Sequence, residues 1–322
     1  MDIFIAHNSA LEFWRRQRCL RRSREFRSSR RRLPNDSPPA SFLLESERWG
    51  LTLPLDIVVS SLSARRPSKA IRPHVCSRSL PDGCFVNAGN GLFVSTPEFT
   101  FLQMASKYPL PKLIALGLEL CGTYSLPDKE VSGANQDASD QTLYNLQRLT
   151  SKRRLTAFVG RMKGWSGQRL AAKALCYIVD GSASPMESIV FMMLCLPYRY
   201  GGYGLPMPEL NGRIDPDKNV KRFAGREFYR GDLFWRQAKV VVEYDSDQEH
   251  ADKIRIAKDA IRRSDLTLCG ILEVTVTREQ AKSVMLFDKI ARQLAVRMKK
   301  ELRYKEPGFS VARRELRRSL SQ

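Results

Sequence analysis

Runs of apolar residues in the first half of the chain have the length of β-strands, and helix-start patterns lie between them. Strands are predicted at 2–6, 55–59, 83–86 and 91–94. A helix is predicted after the last of these, because Thr96 can cap its first amide groups and Pro97 fits its first turn. A second helix is predicted at 111–121, and a helical connector at 141–178.

The second half begins with a helical pattern and continues with closely spaced strands. Ser184 predicts a helix start, followed by a stripe of apolar positions at Met186, Ile189, Val190, Met193 and Leu194. Strands are predicted near 226–235, 238–245 and 271–276. Between the last two, a helix at 249–264 would place Ile254, Ala257 and Ile261 on one face. Thr277 and Gln280 form a capping-box pattern that predicts a final long helix with Ala281, Val284, Phe287, Ala291, Leu294 and Met298 inward.

This order of elements predicts an α/β protein with two layered domains. The predicted segments are 1–50, a basic segment and linker; 51–130, a small α/β domain; 131–180, a loop and helical connector; 181–302, a second α/β domain; and 303–322, a loosely packed basic tail. Within the first segment, Ser9 and Glu12 have the spacing of a capping box, which predicts a helix start there.

Charge points to a polyanionic partner. The 322 residues include 54 Lys and Arg against 34 Asp and Glu, a formal net charge of +20. Such an excess attracts nucleic acid, with DNA preferred and RNA left open, and anionic membrane surfaces are the alternative. The predicted phosphate-binding residues are Arg15, Arg16, Arg21, Arg22, Arg30, Arg31, Lys152, Arg153 and Arg154. A solvated helix face explains the dense arginine run equally well.

Cysteine and histidine usage argues against disulfides and zinc. The seven cysteines form no C-x-x-C pair, and none of the three histidines neighbours such a pair. No apolar run has transmembrane length, and the N-terminus lacks a signal-peptide core. These patterns predict a reduced, cytoplasmic protein without a membrane segment.

Acidic residues in two neighbouring predicted strands carry the candidate chemistry. Asp232 lies in the first strand, and Glu243 and Asp245 share one face of the second. Converging carboxylates are costly to bury unless a cation neutralises them. Mg²⁺ or Mn²⁺ takes such oxygen ligands, and a bound divalent ion can promote phosphodiester hydrolysis. The acids therefore predict a metal site.

Each of these residues also has a structural explanation. Glu187, three residues after Ser184, fits the second half of a capping box. Asp232 can cap a turn, and Glu243 can form an ion pair with an arginine. Asp245 is easily placed at a strand end. His250 can transfer protons or simply hydrogen-bond to Asp245.

The strings P-M-E-S, G-D-L-F-W, V-V-V-E-Y-D and K-D-A-I-R-R-S-D-L-T-L-C-G over 184–280 resemble the PD-(D/E)XK nuclease superfamily, in its branch of very-short-patch-repair-like endonucleases. The resemblance implies a restriction-endonuclease-like α/β core, a mixed sheet flanked by helices, preceded by a smaller α/β DNA-associated domain. It implies a metal site formed by Glu187, Asp232 and Glu243, completed by Asp245 and His250. Asp259 and Arg262 match its D-x-x-R motif.

Residues 50–125, with V-S-T-P-E-F-T-F-L-Q-M-A, more loosely resemble the DNA-associated part of AbiE-type antitoxins. Residues 184–280 depart from the nuclease pattern at one position, because Asp245 stands where the superfamily has lysine. Lys253, Lys258 or His250 are the candidate replacements. Two hypotheses follow: a Mg²⁺-dependent DNA endonuclease or nickase, and an antitoxin-type DNA-binding transcriptional regulator whose nuclease fold is catalytically degenerate. An RNA-binding or RNA-processing protein is the third.

Overall fold

The protein is described by a computed structural model over residues 2–19, 26–29, 32–35, 50–127, 142–216, 218–222, 226–245, 253–303 and 307–320. The chain divides into two compact units, Met1–Ile178 and Val179–Gln322. The division lies close to residue 181, at which the sequence predicts the second domain to begin. Each unit contains one mixed β-sheet flanked by helices, so the chain is an α/β protein.

A six-stranded sheet forms the centre of the first unit, in the order β2-β5-β6-β1-β3-β4. Its strands are β1 (Ile3–Ile5), β2 (Arg27–Ser29), β3 (Leu55–Val59), β4 (Ile71–Val75), β5 (Phe85–Gly89) and β6 (Leu92–Ser95). Strand β1 pairs in parallel with β6 and antiparallel with β3, and all three of its residues are buried. The prediction that residues 1–50 stand apart from the following domain is therefore wrong, because an apolar strand at the N-terminus completes that domain's core.

The helices of the first unit are α1 (His7–Cys19), α2 (Pro97–Met104), α3 (Leu110–Leu120), α4 (Lys152–Arg161) and α5 (Gln168–Leu175). The predicted start of α2 is confirmed, since the Thr96 side chain accepts a hydrogen bond from the Phe99 amide. The connector predicted at 141–178 is only partly helical. Residues 142–150 form no helix, and residues 162–167 separate α4 from α5.

The capping box predicted from Ser9 and Glu12 is wrong. Helix α1 already begins at His7, and the two side chains bond to a distant segment instead. Ser9 Oγ accepts a hydrogen bond from the Asp56 amide at 2.9 Å, and Glu12 accepts from the Thr52 amide at 2.9 Å. Both side chains therefore fix α1 against the segment that leads into β3.

The second unit contains a four-stranded sheet in the order β10-β9-β8-β7. Its strands are β7 (Glu209–Ile214), β8 (Tyr229–Trp235), β9 (Val240–Asp245) and β10 (Leu272–Thr277). The β7–β8 and β8–β9 pairs are antiparallel, and β9–β10 is parallel. Strands β8, β9 and β10 confirm the three predictions for this region, whereas β7 was not predicted.

The helices of the second unit are α6 (Pro185–Cys195), α7 (Lys218–Lys221), α8 (Lys253–Leu268), α9 (Arg278–Lys282), α10 (Val284–Arg297) and α11 (Phe309–Leu320). The prediction of one final long helix is wrong in one respect, because the helix is interrupted at Ser283. The Ser283 side chain caps α10, and Val284 is exposed. The capping box of Thr277 and Gln280 is confirmed at the start of α9.

The packing of α8 and α11 is set by a few buried positions in each helix. Ala257 and Ile261 of α8 are exposed, and Asp265 and Leu266 are the buried positions. The side chain of Ile254 lies outside the described ones. Helix α11 is basic as predicted but not loosely packed, because Phe309 and Leu316 are buried in it. Among the described residues, no helix is long and apolar enough to cross a bilayer.

Candidate functional site

The first candidate acid, Glu187, is held in place by donors on both sides. The Ser184 side chain accepts the Glu187 amide hydrogen at 3.0 Å, which confirms the helix start. The Glu187 carboxylate does not complete a capping box with Ser184. Its Oε2 accepts from the Ala183 amide at 2.8 Å and from Asn211 Nδ2 at 2.8 Å. The acid therefore lies between the start of α6 and strand β7.

Asn211 reaches Glu187 because the backbone departs from regular strand geometry there. Its φ of +49° is left-handed, a conformation that asparagine tolerates better than most residues. The β7–β8 ladder pairs Leu210 with Leu233 and Gly212 with Gly231, so Asn211 lies opposite Asp232. The sequence analysis missed Asn211, although an Asn-Gly dipeptide inside a strand is a turn signal that could have marked it.

Asp232 and Glu243 are adjacent across the β8–β9 pair. The ladder pairs Leu233 with Val242, which places Asp232 next to Glu243 just beyond the last paired residues. Asp232 Oδ2 accepts a hydrogen bond from the Tyr244 amide at 2.8 Å. A Cβ atom on Gly231 would collide with Val241 Cγ2 and lie 3.4 Å from Glu243 Oε1. Glycine at this position therefore leaves room for the Val241 side chain.

An arginine on helix α8 supplies the positive charge of this site. Arg262 Nη2 donates to Glu243 Oε1 and, at 2.7 Å, to the Arg230 carbonyl oxygen. Its Nε lies 3.4 Å from Oε2 of Glu273 on β10. The ion pair considered as the alternative explanation of Glu243 is confirmed, and Glu273 is an acid that the sequence analysis missed.

Burial and mutual repulsion make these carboxyl groups hard to ionise. Burial, and then the charge of Asp232, raise the pKa of Glu187 to about 7. The same two causes raise the pKa of Glu243 to about 9, even though Arg262 favours its charged form. Burial also raises the pKa of Asp232. Carboxylates this close cannot all be ionised without a proton or a cation to neutralise them.

Asp232 and Glu243 each keep one oxygen atom for another partner. Oε2 of Glu187, Oδ2 of Asp232 and Oε1 of Glu243 receive the bonds described above. The second oxygen of Asp232 and that of Glu243 have no hydrogen-bond donor within the described part of the chain, whereas the Glu187 carboxylate has a further partner in the Ser184 side chain. One bonded oxygen fixes the orientation of a carboxylate and leaves the other for a ligand.

These donors fit a hard divalent cation in type, since Mg²⁺ and Mn²⁺ prefer carboxylate oxygens. Their positions do not yet form a coordination shell. In the described ranges, no three His, Cys, Asp or Glu side chains are grouped so that they could hold a metal ion. Coordination would require these side chains to move, and Glu243 would have to reorient from Arg262.

The remaining residues predicted for this site lie as follows. Asp245 ends β9 and is half-buried, and Asp259 is exposed on α8. His250 lies outside the described residues, and so does the side chain of Lys253 at the start of α8. Lys258, the other candidate for the missing lysine, is exposed. Arg262, one of the supporting residues whose side chain the structure describes, contacts an acid of the site.

Several arginines predicted to bind nucleic acid have acidic partners within the first unit. Arg15 Nη2 lies 2.8 Å from Glu119 Oε2, and Arg16 Nη2 lies 3.0 Å from Glu12 Oε1. In the basic first turn of α4, which contains Lys152, Arg153 and Arg154, Arg154 Nε lies 2.9 Å from Glu98 Oε1. The other predicted residues, Arg21, Arg22, Arg30 and Arg31, lie outside the described part. A role of these residues in nucleic-acid binding stays a prediction.

The first unit contains a second polar cluster that the sequence analysis missed, centred on Asp56 of β3. This carboxylate is 1% exposed, with His74 Nε2 at 2.6 Å, Lys107 Nζ at 3.5 Å and Arg72 Nη1 at 3.7 Å. Burial opposes ionisation of Asp56, but the hydrogen bond from His74 and the charge of Lys107 outweigh it and hold its pKa below the ordinary value. The His7 ring lies 4.0 Å from that of His74.

His7 gives this cluster a predicted pH dependence. Burial, then His74 and Lys107, lower the pKa of His7 to about 3 from 6.5. Between pH 6.5 and about 3, the unfolded chain binds a proton at His7 and the folded chain does not. The contribution of His7 to the free energy of unfolding is therefore complete above pH 6.5 and decreases as the pH falls. In this range, His7 should change the free energy of unfolding by about 1.4 kcal/mol per pH unit.

His7→Asn should remove this pH dependence of the free energy of unfolding. Urea denaturation at several pH values between 6.5 and about 4, which lie between the two pKa values of His7, measures it. Asparagine is the appropriate replacement because position 7 has a φ of +48°. An unchanged slope in the variant would assign the pH dependence to other groups.

Comparisons with protein-family models, with curated proteins and with solved structures give no match to this chain. The resemblance of residues 184–280 to PD-(D/E)XK nucleases therefore stays a prediction from motifs, and the geometry of the site carries the functional argument.

Proposed function

We propose that the protein is a metal-dependent DNA endonuclease or nickase whose active site lies in the second unit. One observation carries this proposal: Glu187, Asp232 and Glu243 come from α6, β8 and β9, burial raises the pKa of all three, and the charge of Asp232 raises the pKa of the other two further. Asp232 and Glu243 also each keep one oxygen without a hydrogen bond from the described residues. Such a cluster is costly for folding and is explained if it serves a cation-dependent function.

The order of elements around the acids supports a restriction-endonuclease-like core. Helix α6 is followed by three antiparallel strands, then by α8, and then by β10 parallel to β9. The acids lie on the first helix and on the second and third strands of this series. This is the layout that the motif resemblance implies for a mixed sheet flanked by helices.

Glu187, Asp232 and Glu243 would hold Mg²⁺ or Mn²⁺, which supplies Lewis acidity and lowers the pKa of water. The chain's own groups orient these ligands. The Asn211 amide and the Ala183 amide fix Glu187, and the Tyr244 amide fixes Asp232. These hydrogen bonds favour the charged forms of both acids, which are the forms that bind cations.

The second candidate is an antitoxin-type DNA-binding transcriptional regulator with a degenerate nuclease fold. The observation in its favour is the ion pair between Arg262 and Glu243, which already neutralises one acid without a metal. The absence of a metal-holding group among the described residues points the same way. Net positive charge suits both candidates.

Incubation of supercoiled plasmid with the purified protein tests the proposal directly. Nicked or linear plasmid should form with Mg²⁺ or Mn²⁺ and should not form in EDTA. Binding of the same plasmid in EDTA should persist, because phosphate contacts by basic residues need no metal. Tight binding without nicking under any divalent cation would favour the regulator instead.

A further inference from the structure

Phe228 lies beside two guanidinium groups at the edge of the acid site. The guanidinium carbon of Arg213 is 4.3 Å from the Phe228 ring centroid, and that of Arg230 is 5.5 Å away. The β7–β8 ladder pairs Arg213 directly with Arg230. Like charges in this position destabilise a sheet, and the aromatic ring offsets part of that cost. Two exposed cations are thus concentrated on one short stretch of the sheet.

The two arginines differ in their acidic partners. Arg213 Nε lies 2.8 Å from Asp215 Oδ1, which neutralises it in part. Arg230 has no acidic partner in the part of the chain that the structure describes, and its Nη1 donates to the Asn211 carbonyl oxygen at 3.2 Å. Arg230 is therefore the exposed cation of this pair that is available for an external anion.

Backbone and side-chain contacts connect Arg230 to both sides of the acid site. Its guanidinium bonds to Asn211, whose own side chain holds Glu187. Its carbonyl oxygen accepts from Arg262, which pairs with Glu243. Arg230 also precedes Asp232 by two residues on β8. Arg230 therefore shares a strand with Asp232 and bonds to the two residues, Asn211 and Arg262, that hold Glu187 and Glu243.

An acid site repels a phosphodiester unless a cation beside it binds the phosphate. We propose that Arg230, supported by Phe228 and Arg213, binds a backbone phosphate of nucleic acid next to the carboxylates. A guanidinium group can bind two phosphate oxygens at once, and a contact to phosphate carries no information about the base, so this contact is independent of nucleotide sequence. The inference rests on the proposed function for the position of the phosphate, but binding without metal tests it separately.

Arg236 provides a matched control. It is equally exposed, lies just after the same strand, and stacks on an aromatic ring with its guanidinium carbon 5.0 Å from the Phe234 centroid. It differs in being neutralised by Glu209, whose Oε2 lies 2.7 Å from Arg236 Nη2. Removing either arginine deletes one positive charge, so a difference between the variants reports the position of the charge.

Fluorescence anisotropy with a labelled DNA duplex, in EDTA and over a series of salt concentrations, tests the proposal. Arg230→Ala should weaken binding about tenfold at low salt, the loss of one charge-assisted hydrogen-bonded contact. It should also reduce the slope of log affinity against log salt by about one. Arg236→Ala should leave both quantities close to those of the wild type.

Equal affinities and slopes for Arg230→Ala and Arg236→Ala would overturn the proposal, whether or not the wild type nicks plasmid. Weaker binding by Arg230→Ala alone would support it even if no cleavage is found, since the assay contains no metal. Circular dichroism melting checks the fold of each variant. If Arg230→Ala unfolds, Arg230→Gln keeps a stem over Phe228 and should give the same loss of affinity and slope.

Discussion

Asp232→Asn is expected to reduce Mg²⁺-dependent plasmid nicking about a thousandfold while leaving DNA binding in EDTA intact. Asparagine has the shape of aspartate and can still accept the Tyr244 amide hydrogen, so the strand pair should be preserved. It lacks the negative charge that holds a divalent cation. Metal catalysis contributes several kcal/mol to the transition state, and every 1.4 kcal/mol is a factor of ten in rate.

Glu209→Gln is the control for this experiment. Glu209 is an exposed acid on β7 of the same sheet, and its partner is Arg236 rather than another carboxylate. Its replacement should leave nicking within about twofold of the wild type, since an exposed ion pair of this kind contributes little to stability. Nicking by Asp232→Asn at the control's rate would place the activity elsewhere in the chain or in a contaminant.

Arg262→Met is expected to destabilise the second unit by about 3 kcal/mol in urea denaturation above pH 9, where Glu243 is ionised in the folded protein. The variant leaves Glu243 without its cation, whereas Glu273 keeps Arg263, whose Nε lies 3.5 Å from Glu273 Oε1; breaking a buried pair costs about 3–5 kcal/mol. The lower end applies because the two side chains of the Arg262–Glu243 pair are 24% and 23% exposed. Arg236→Met, which breaks the exposed pair with Glu209, should change stability by less than about 1 kcal/mol.

The pH dependence of the Arg262→Met effect has a defined sign. Burial already raises the pKa of Glu243 to about 9, and Arg262 is the cation that opposes this shift. Without the arginine, the folded state holds the Glu243 proton more tightly than the unfolded state does. The variant should therefore follow the pH dependence of the wild type up to about pH 9 and lose stability relative to it above that value, where only the wild type releases the proton.

Divalent cations should distinguish the two proposed functions in the same variant. If the acids bind Mg²⁺, the metal replaces the missing guanidinium charge and raises the melting temperature of Arg262→Met more than that of the wild type. If the fold is a degenerate scaffold, Mg²⁺ should shift neither protein. Thermal melts with Mg²⁺ and with EDTA make this comparison without any nuclease assay.

Local sequence patterns were sufficient for several features of both units. The cap at Thr96, the capping box at Thr277 and the strands around Asp232 and Glu243 were predicted correctly. These features depend on residues within a few positions of one another. Hydrogen bonds to nearby amides and alternation along a strand are local properties, and a sequence displays them directly.

Local patterns were misleading where a distant segment offered a better partner. Ser9 and Glu12 have the spacing of a capping box, yet they bond to Asp56 and Thr52. Ile261 has the helical spacing of a core residue but is exposed on α8, while Asp265 is buried and accepts a hydrogen bond from the Tyr229 hydroxyl. Periodicity shows which residues share a face and not which face is covered.

The sequence by itself determined that this is a basic α/β protein in which Asp232 and Glu243 lie on neighbouring strands, because strand alternation and charge are written residue by residue. Tertiary structure decided that Arg262 pairs with Glu243, that Asn211 holds Glu187, and that Arg230 bonds to Asn211. These contacts join residues 19 to 24 positions apart, and they form only when separate elements pack. A buried acid is neutralised only by the groups that packing brings to it. The sequence therefore indicated the type of site, a cluster of acids, but not the residues that contact those acids.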